Sequence, residues 1–438
     1  MRHSQIEEMK ERLHQGISSA LEQGADGAKI NFHQSESIGC EFEAGRLKST
    51  DASERAMYSI EVLVDGKRSS VSGNMLDDID EMISRALSLA GVGSVAHFKA
   101  YPAPAEIYKV KTHARETAEL SRETMIEHSQ KIVERLKAYD PDLWIHASSN
   151  RSEYENLLVT TGGVVASNTG TVWSLSGYIQ RTEGSDMLFV GDRRVWRNAG
   201  QYYDPEYIAE RIIKDLQRAE KLSETPVGKF PIYLSPEMFR RLIGALMLGV
   251  NGRNVAKGDS PLRGKLREQV LDKSLTIIDN PHRDFSPGAA RFDANGIPTR
   301  IINIFEKGVL MNFLYDLDSS GLAGANPTGH NGCSPHDLEV LSGDTPRESL
   351  VTAIQDGLYI KDLIGFGQSN IMNGDFSANV GLGYGIKNGE ITGRVKNTMI
   401  AGNLYEILKK DVRLSSERDP LMLFPYAVVE GMTISAAQ

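Results

Sequence analysis

The densest group of side chains that could bind a metal lies in one short loop. The segment GHNGCSPH, from Gly329 to His336, places His330, Cys333 and His336 three residues apart. Imidazole and thiolate groups are good zinc ligands, and a glycine-containing loop can bend to present them. The loop lacks a fourth donor nearby, and its spacing matches none of the common structural zinc sites. We therefore interpret it as a hydrogen-bonded loop whose His330, Asn331 and His336 contact substrate or neighbouring loops.

Other catalytic patterns in the sequence are incomplete. The glycines of GLGYG, from Gly381 to Gly385, lie in a predicted strand that no helix follows, so they form no dinucleotide fingerprint. The sequence contains no GxxxxGK[ST] phosphate-binding loop. Ser369 lies in GFGQSN, which lacks the last glycine of a nucleophile elbow. Asp375 follows Asn373 and Gly374, a context typical of a tight turn. We assign no catalytic residue and no cofactor to these segments.

The composition is that of a folded protein with more than one domain. The chain has 438 residues, of which 40% are hydrophobic and 24% are charged. Its formal charge of -9 argues against direct binding of nucleic acid or anionic lipid. The only cysteines, Cys40 and Cys333, fit a reducing compartment. The N-terminal segment lacks the apolar core of a signal peptide, and no run reaches the ~18 apolar residues of a membrane span. We expect a cytoplasmic protein.

The first hundred residues have the pattern of a helix, a sheet and a second helix. Apolar residues from Ile6 to Leu21 recur at helical spacing, and Asp77 to Ala90 repeats this pattern. Between them lie segments of alternating or β-branched residues, with a hairpin turn at Asp65-Gly66. The predicted strands are Ala28 to His33, Ile38 to Phe42, Met57 to Val64 and Arg68 to Ser72.

A similar order of elements follows a proline-containing linker at Tyr101 to Tyr108. The predicted elements are a long helix from Arg115 to Lys137, strands at Leu143 to Ser148, Tyr154 to Thr160 and Val164 to Gln180, and a helix from Glu206 to Lys221. This order is typical of an internal duplication, although the residues do not visibly repeat. We predict an N-terminal α+β domain over residues 1–222, with subdomains 1–100 and 110–222. The polar segment Ser223 to Lys229 marks its boundary.

The second predicted domain, residues 223–438, combines one apolar helix with many strand and turn signals. Ser235 is a favourable N-cap and Pro236 suits the first helical position. Every face from Leu242 to Val250 is apolar or small, so we predict a buried helix. The glycine-rich tail after Gly365 predicts strands and tight turns, including a hairpin at Asn388-Gly389. The predicted class is therefore α+β, with an antiparallel glycine-rich sheet around a buried helix.

A long ordered series of motifs carries a family resemblance. The segments NPTGHNGCSPH and GDTPRESLVTAIQDGLYIKDLIGFGQSNIMNGDFSANVGLGYGIKNGEITGRVKNTMIAGNLYEIL closely resemble the TldD/PmbA family, also called modulator of DNA gyrase proteins. Asp293 to Asp316 looks like the paired strands of this family, and Ala25 to Asn74 looks like its N-terminal domain. The resemblance covers nearly the whole chain.

The resemblance also indicates which branch of the family the chain is similar to. The TldD branch is similar to metallopeptidases with an HExxxH motif on a helix that opens the C-terminal domain, and with a cysteine near the chain end. That helix corresponds to Pro236 to Val250, which contains no histidine, and no cysteine follows Cys333. A zinc site of this type needs ligands and a carboxylate base on this helix. Neither is supplied by Ile243, Gly244, Met247 or Leu248. The chain thus resembles the PmbA or TldE branch, and we assign it no metal ligand and no catalytic residue.

Three functions follow from these observations. The resemblance implies a non-catalytic subunit that joins a TldD-type metallopeptidase subunit in the cytoplasm and helps to bind unfolded peptide substrates. A second hypothesis is that the chain is itself a metallopeptidase with an atypical site near His330. A third is a regulatory binding protein that affects DNA gyrase indirectly. The sequence leaves open whether the chain forms a homodimer or a heterodimer.

Overall fold

The computed structural model describes residues 3–74, 78–201 and 204–436, which form an α+β fold. The elements of its first half are α1 His3–Glu22, β1 Gly27–Glu43, β2 Arg46–Val64, β3 Lys67–Asn74, α2 Ile79–Ala90, β4 Ser94–Val95, α3 Arg115–Ala118, α4 Arg122–Tyr139, β5 Trp144–Thr160, β6 Val165–Glu183, β7 Asp186–Trp196 and α5 Pro205–Ala219. The predicted start of α2, at Asp77, lies outside the described residues.

The elements of the second half are shorter and mostly strands. They are β8 Gly228–Lys229, β9 Ile232–Leu234, α6 Pro236–Val250, α7 Gly252–Lys257, β10 Ile277–Asp279, β11 Ile302–Glu306, β12 Val309–Leu310, α8 Leu317–Ala323, β13 Leu338–Val340, α9 Arg347–Thr352, β14 Asp356–Ile364, β15 Asp375–Lys387, β16 Glu390–Arg394, β17 Thr398–Asn403, α10 Leu404–Ile407, β18 Arg413–Arg418, β19 Pro425–Val429 and β20 Thr433–Ala436. In the described part of the chain, no helix is both long and apolar enough to cross a membrane.

The first half is built on one antiparallel sheet of seven strands, in the order β4-β3-β2-β1-β5-β6-β7. Its two helix-sheet-helix units meet at the centre, where β1 pairs with β5 from Lys29 opposite Thr160 to Phe42 opposite Ala147. Helices α1 and α2 pack on the sheet in one core, and α4 and α5 pack in a second core. The sheet therefore joins both units into one continuous surface.

Several predicted elements of this half have different bounds in the structure. The predictions of two separate strands within β1, and of two within β5, were wrong, because each segment is one continuous strand paired on both sides. Strand β7 was not predicted at all. The predicted long helix is divided into α3 and α4, because the hydroxyl of Ser121 accepts a hydrogen bond from the Thr124 N-H and begins a new helix there.

The second half contains a nine-stranded sheet, with its main path in the order β18-β19-β9-β14-β15-β17-β20-β8 and with β16 paired to β15. The sheet is antiparallel, as predicted, except that β9 and β14 run parallel. Helix α6 packs in a core on this sheet, while tyrosines such as Tyr233 and Tyr359 belong to the core that contains α5. A separate four-stranded sheet has the order β12-β11-β10-β13.

Helix α6 is largely buried, but not on every side. The hydroxyl of Ser235 accepts a hydrogen bond from the Met238 N-H and caps the helix, as predicted. Leu242, Ile243 and Leu246 are fully buried. The prediction that no side of Leu242 to Val250 faces water was wrong at Gly244, which is exposed, as are Arg240 and Arg241 just before that run. These three positions recur at helical spacing, so one narrow stripe of the helix is left for solvent.

We predict opposite effects on stability from two substitutions on α6. Leu246→Asp places an unpaired carboxylate among apolar side chains and should lower the free energy of unfolding by roughly 3 to 5 kcal/mol. Gly244→Ala is the matched control, since a β-carbon there meets no atom within 4 Å. It should raise the free energy of unfolding by ~0.5 to 1 kcal/mol because alanine is the better helix former. Chemical denaturation measures both, and an unchanged midpoint for Leu246→Asp would contradict the buried position.

Candidate functional site

His330, the central residue of the candidate loop, is fully buried. Its Nε2 lies 2.8 Å from Oδ2 of Asp279, at the end of β10, and its Nδ1 lies 2.8 Å from Oγ1 of Thr328. The other carboxylate oxygen of Asp279 accepts a hydrogen bond from the Asp337 N-H. Burial alone would raise the pKa of the Asp279 carboxyl, but the hydrogen bond and charge of His330 outweigh it and lower that pKa below its ordinary value. His330 thus anchors the loop to the four-stranded sheet.

The two other candidate residues reach a cleft. His336 donates from Nε2 to the carbonyl oxygen of Gly329 at 2.8 Å, and burial lowers the pKa of its imidazole, so the ring is neutral at neutral pH. Asn331 accepts a hydrogen bond from the Ala294 N-H at 2.6 Å. Both side chains line the cleft, whereas His330 lies behind them.

Cys333 points into the protein rather than toward the two histidines. Its Sγ lies 3.0 Å from Oγ of Ser319 and accepts a hydrogen bond from the Asp316 N-H. Burial raises the pKa of the thiol, which keeps it protonated and a poor metal ligand. Among the residues that the structure describes, no three His, Cys, Asp or Glu side chains are grouped so that they could hold a metal ion.

The cleft has a volume of about 550 Å³ and lies between the seven-stranded sheet and loops of the second half. Strands β1, β2, β5 and β6 supply one wall, and residues 287–294 with the Asn331 and His336 loop supply the other. The strand residues in this wall are Lys29, Asn31, Ser59, Tyr154, Asn156, Leu158 and Asn168. Their polar groups give the wall both hydrogen-bond donors and acceptors.

Arg197 holds the two walls of the cleft together. It follows β7 directly and is 7% exposed. Its guanidinium donates to the carbonyl oxygens of Ser286 at 2.8 Å and Ala289 at 3.1 Å, and to the Tyr154 hydroxyl at 2.7 Å. A rigid guanidinium fork that satisfies several acceptors fixes their relative positions. The loop wall is therefore held in place by a residue that follows the seven-stranded sheet of the first half.

Two further contacts set the shape of the loop wall. Gly288 approaches the next loop so closely that a β-carbon would lie 2.3 Å from the carbonyl oxygen of His336, so only glycine fits there. Asp293 is 1% exposed, and its Oδ1 accepts hydrogen bonds from the N-H groups of Asn295 and Ile297. Its Oδ2 is buried without a hydrogen-bond partner, and burial raises the pKa of this carboxyl.

The arrangement suits the binding of a polar, extended ligand better than bond cleavage. Amide side chains from neighbouring strands can donate to and accept from a peptide backbone. Sequence reasoning found only Asn331 and His336 of these residues. The signal that could have indicated the others is an isolated asparagine next to buried apolar residues in a long strand, as at Asn31 and Asn156.

Comparison with known proteins decides the family. Residues 227–436 match the model of the PmbA/TldA metallopeptidase C-terminal domain, and residues 28–90 match the model of PmbA/TldA metallopeptidase domain 1. The chain belongs to the TldD/PmbA family. The metalloprotease PmbA of Escherichia coli is 25% identical over 94% of this chain and 93% of its own length. An uncharacterized protein of Methanocaldococcus jannaschii is 29% identical over 55% of this chain and 58% of its own.

Solved structures of family members share the whole fold. A protein named as a modulator of a DNA gyrase from Thermotoga maritima has a TM-score of 0.88 and 23% identity, covering 98% of this chain and 100% of its own. TldE from Thermococcus kodakarensis has a TM-score of 0.88 and 22% identity, covering 97% and 100%. These likenesses show that the α+β architecture is that of the family.

The residues of α6 do not fit the zinc ion that the TldD branch of the family implies. The one carboxylate of this helix, Glu237, forms ion pairs with Arg211 and Arg194. Burial would raise the pKa of Glu237, but the nearby Arg211 and other cations lower it to about 2. The exposed stripe carries Arg240, Arg241 and Gly244. The two arginines would repel a divalent cation, and glycine has no side chain to bind one. The helix therefore offers no set of ligands for a catalytic metal.

We predict a pH effect from the buried pair of Asp279 and His330. Because the native pKa of Asp279 is lowered, its carboxylate stabilises the fold above its unfolded pKa of about 3.9, and this stabilisation is lost as the pH falls through the native value. Asp279→Asn should therefore have a lower free energy of unfolding near pH 7 and a shallower decline between about pH 5 and about pH 3. Urea denaturation across this range measures both, with Asp344→Asn at an exposed position as the control. Parallel profiles for the parent and Asp279→Asn would contradict the assignment.

A second prediction concerns metal content. The purified protein should hold far less than one zinc ion per chain by plasma mass spectrometry, because the one carboxylate of α6 is paired with arginines and Cys333 is engaged by Ser319. His330→Ala and Cys333→Ser should not change the measured zinc. One zinc per chain that disappears in both variants would instead establish a metal site in the loop.

Proposed function

We propose that this chain is a PmbA/TldE-type, non-catalytic subunit of a cytoplasmic peptidase whose zinc-bearing subunit is of the TldD type. The observation that carries the proposal is the state of α6. The helix keeps its N-cap, its buried face and its place on the sheet, yet its exposed stripe holds no zinc donor and its one carboxylate is paired with arginines. A scaffold that keeps the family fold without its reactive groups suits a binding role.

In this proposal, the cleft between the two halves is the site that binds the peptide. Its strand wall offers amide groups at Asn31, Asn156 and Asn168 to an extended peptide. Hydrogen bonds to a peptide backbone give affinity with little dependence on sequence, which fits unfolded peptides as substrates. In the proposed complex this cleft guides the peptide toward the partner's metal. The formal charge of -9 favours this role over direct binding to DNA, so an effect on gyrase would be indirect.

The test is a peptidase assay with each chain alone and with both chains together. We expect cleavage of unstructured peptides only when both chains are present, because this chain lacks the groups that activate water. Changing the HExxxH motif of the partner should abolish cleavage. The variant His330→Ala of this chain should not abolish it. Chelator-sensitive cleavage by this chain alone would refute the proposal.

A second arm of the same assay locates the substrate path. Ser59→Arg introduces a long side chain into the strand wall of the cleft, and should lower cleavage by the complex at least about tenfold by excluding the peptide. Ser53→Arg on the same strand is the matched control, since Ser53 is exposed and lies outside the cleft wall. Equal activity of the two variants, both still bound to the partner, would show that the peptide does not pass through this cleft.

A further inference from the structure

A second cavity, of about 570 Å³, lies apart from the cleft. Helices α5 and α9 form its sides, Gly389 to Ile391 at β16 close one end, and strands β9, β14 and β19 form its floor. The exposed stripe of α6 contributes no residue to it. This cavity plays no part in the proposed peptide path.

The floor of the second cavity is aromatic. The ring centroid of Tyr233 lies 4.9 Å from that of Tyr359, which is tilted against it, and 5.5 Å from that of Tyr426, on which it is stacked. Tyr233 and Tyr359 are buried, while Tyr426 is half-buried and lines the opening. Such a surface can pack against a flat ring of a ligand.

Basic side chains from three separate elements surround this floor. They are Arg211, Lys214 and Arg218 on α5, Arg347 on α9 and Lys361 on β14. Three carboxylates also line the cavity, at Asp215, Glu348 and Glu390. The basic side chains therefore outnumber the acidic ones in the lining.

The carboxylates do not match all of these cations. Arg218 and Lys361 share the single carboxylate of Asp215, at 3.2 and 3.1 Å. Arg347 pairs with Glu348 at 2.8 Å. One shared carboxylate cannot by itself neutralise two cations, although Asp192 and Glu237, outside the lining, also act on Lys361.

The charge of Arg211 is already neutralised, because it forms ion pairs with Asp192 and Glu237, which lie outside the lining of the second cavity.

Lys214 forms no ion pair in the described part of the chain, and Asp215 and Glu348 only partly offset the charges of Arg218 and Arg347 around it. No carboxylate in the described ranges lies within 4.0 Å of its Nζ, although the side chain lines the cavity. Its pKa is lowered by desolvation and by repulsion from Arg218 and Arg347. A bound anion would relieve this repulsion and accept hydrogen bonds from Nζ.

Aromatic rings hold two of the guanidinium groups in position. Arg218 lies 5.5 Å from the ring centre of Tyr359, and Arg347 lies 5.8 Å from that of Tyr426. Stacking on a ring fixes a guanidinium plane and leaves N-H groups at its edge for an anion. The aromatic floor and the cations thus form one arrangement.

We propose that this cavity binds a small aromatic phosphate monoester, with the phosphate among Lys214, Arg218 and Arg347 and the aromatic ring against Tyr426. A phosphate carries nearly two negative charges at neutral pH and three acceptor oxygens directed to different sides. Cations that approach from α5 and α9 suit that shape better than the flat pair of oxygens of a carboxylate. The proposal does not depend on the peptidase assignment.

The test is isothermal titration of the full-length protein with phenyl phosphate, inorganic phosphate and benzoate at one fixed salt concentration. Phenyl phosphate should bind saturably and most tightly, because it uses both the cations and the aromatic floor. Lys214→Met should weaken it about tenfold, and Tyr426→Leu should reduce its advantage over inorganic phosphate. Lys214 is exposed, so its replacement should leave the melting temperature unchanged.

Lys221→Met, at an exposed lysine just beyond the end of α5, is the matched control and should bind phenyl phosphate like the parent. Three results would overturn the proposal. They are the absence of saturable binding of phenyl phosphate, equal weakening by the Lys214 and Lys221 substitutions, and tighter binding of benzoate than of phenyl phosphate.

Discussion

A buried ion network around Arg194 joins the halves of the molecule. Arg194, on β7, is 3% exposed, and its guanidinium lies 2.6 Å from the carboxylate of Asp419 in the loop before β19. The same guanidinium reaches Asp192 on its own strand and Glu237 on α6. Removing one member of such a network would leave a buried charge unpaired, which costs several kcal/mol. Through it, the seven-stranded sheet, α6 and the nine-stranded sheet take fixed positions, and the cleft walls follow.

The network also explains how the first helix of the second half is used. Glu237 is the single carboxylate of this helix, and it forms ion pairs with Arg194 and Arg211 of the other half. A group held in this way at a low pKa is a structural anion and has no proton to exchange near neutral pH. The helix that the family resemblance associates with zinc therefore serves here to join the two halves of the molecule.

Local signals in the sequence predicted some elements well, whereas long-range contacts decided the others. Helix α6 was predictable because its cap at Ser235 and its apolar run are read within a few residues. The polar stretch around Glu36 looked like a break in β1, yet it stays extended because β2 and β5 pair with it on both sides, even with Glu54 and Glu153 opposite Glu36. The loop histidines were visible, but the burial of His330 depends on Asp279, a partner far away in the sequence. The cleft escaped prediction for the same reason, since its walls come from opposite halves.

The central position of β1 has a consequence for synthesis of the chain. Its partner β5 is made only after α2, the linker and α4, so the completed hairpin of β1 and β2 must wait with one open edge. Unpaired edges invite association with other chains, and distant pairings form slowly. The charged and polar residues of β1 at Gln34 and Glu36 would discourage such pairing while the edge is open. The polar stretch that breaks the strand pattern in the sequence would thus also limit pairing of this open edge with other chains.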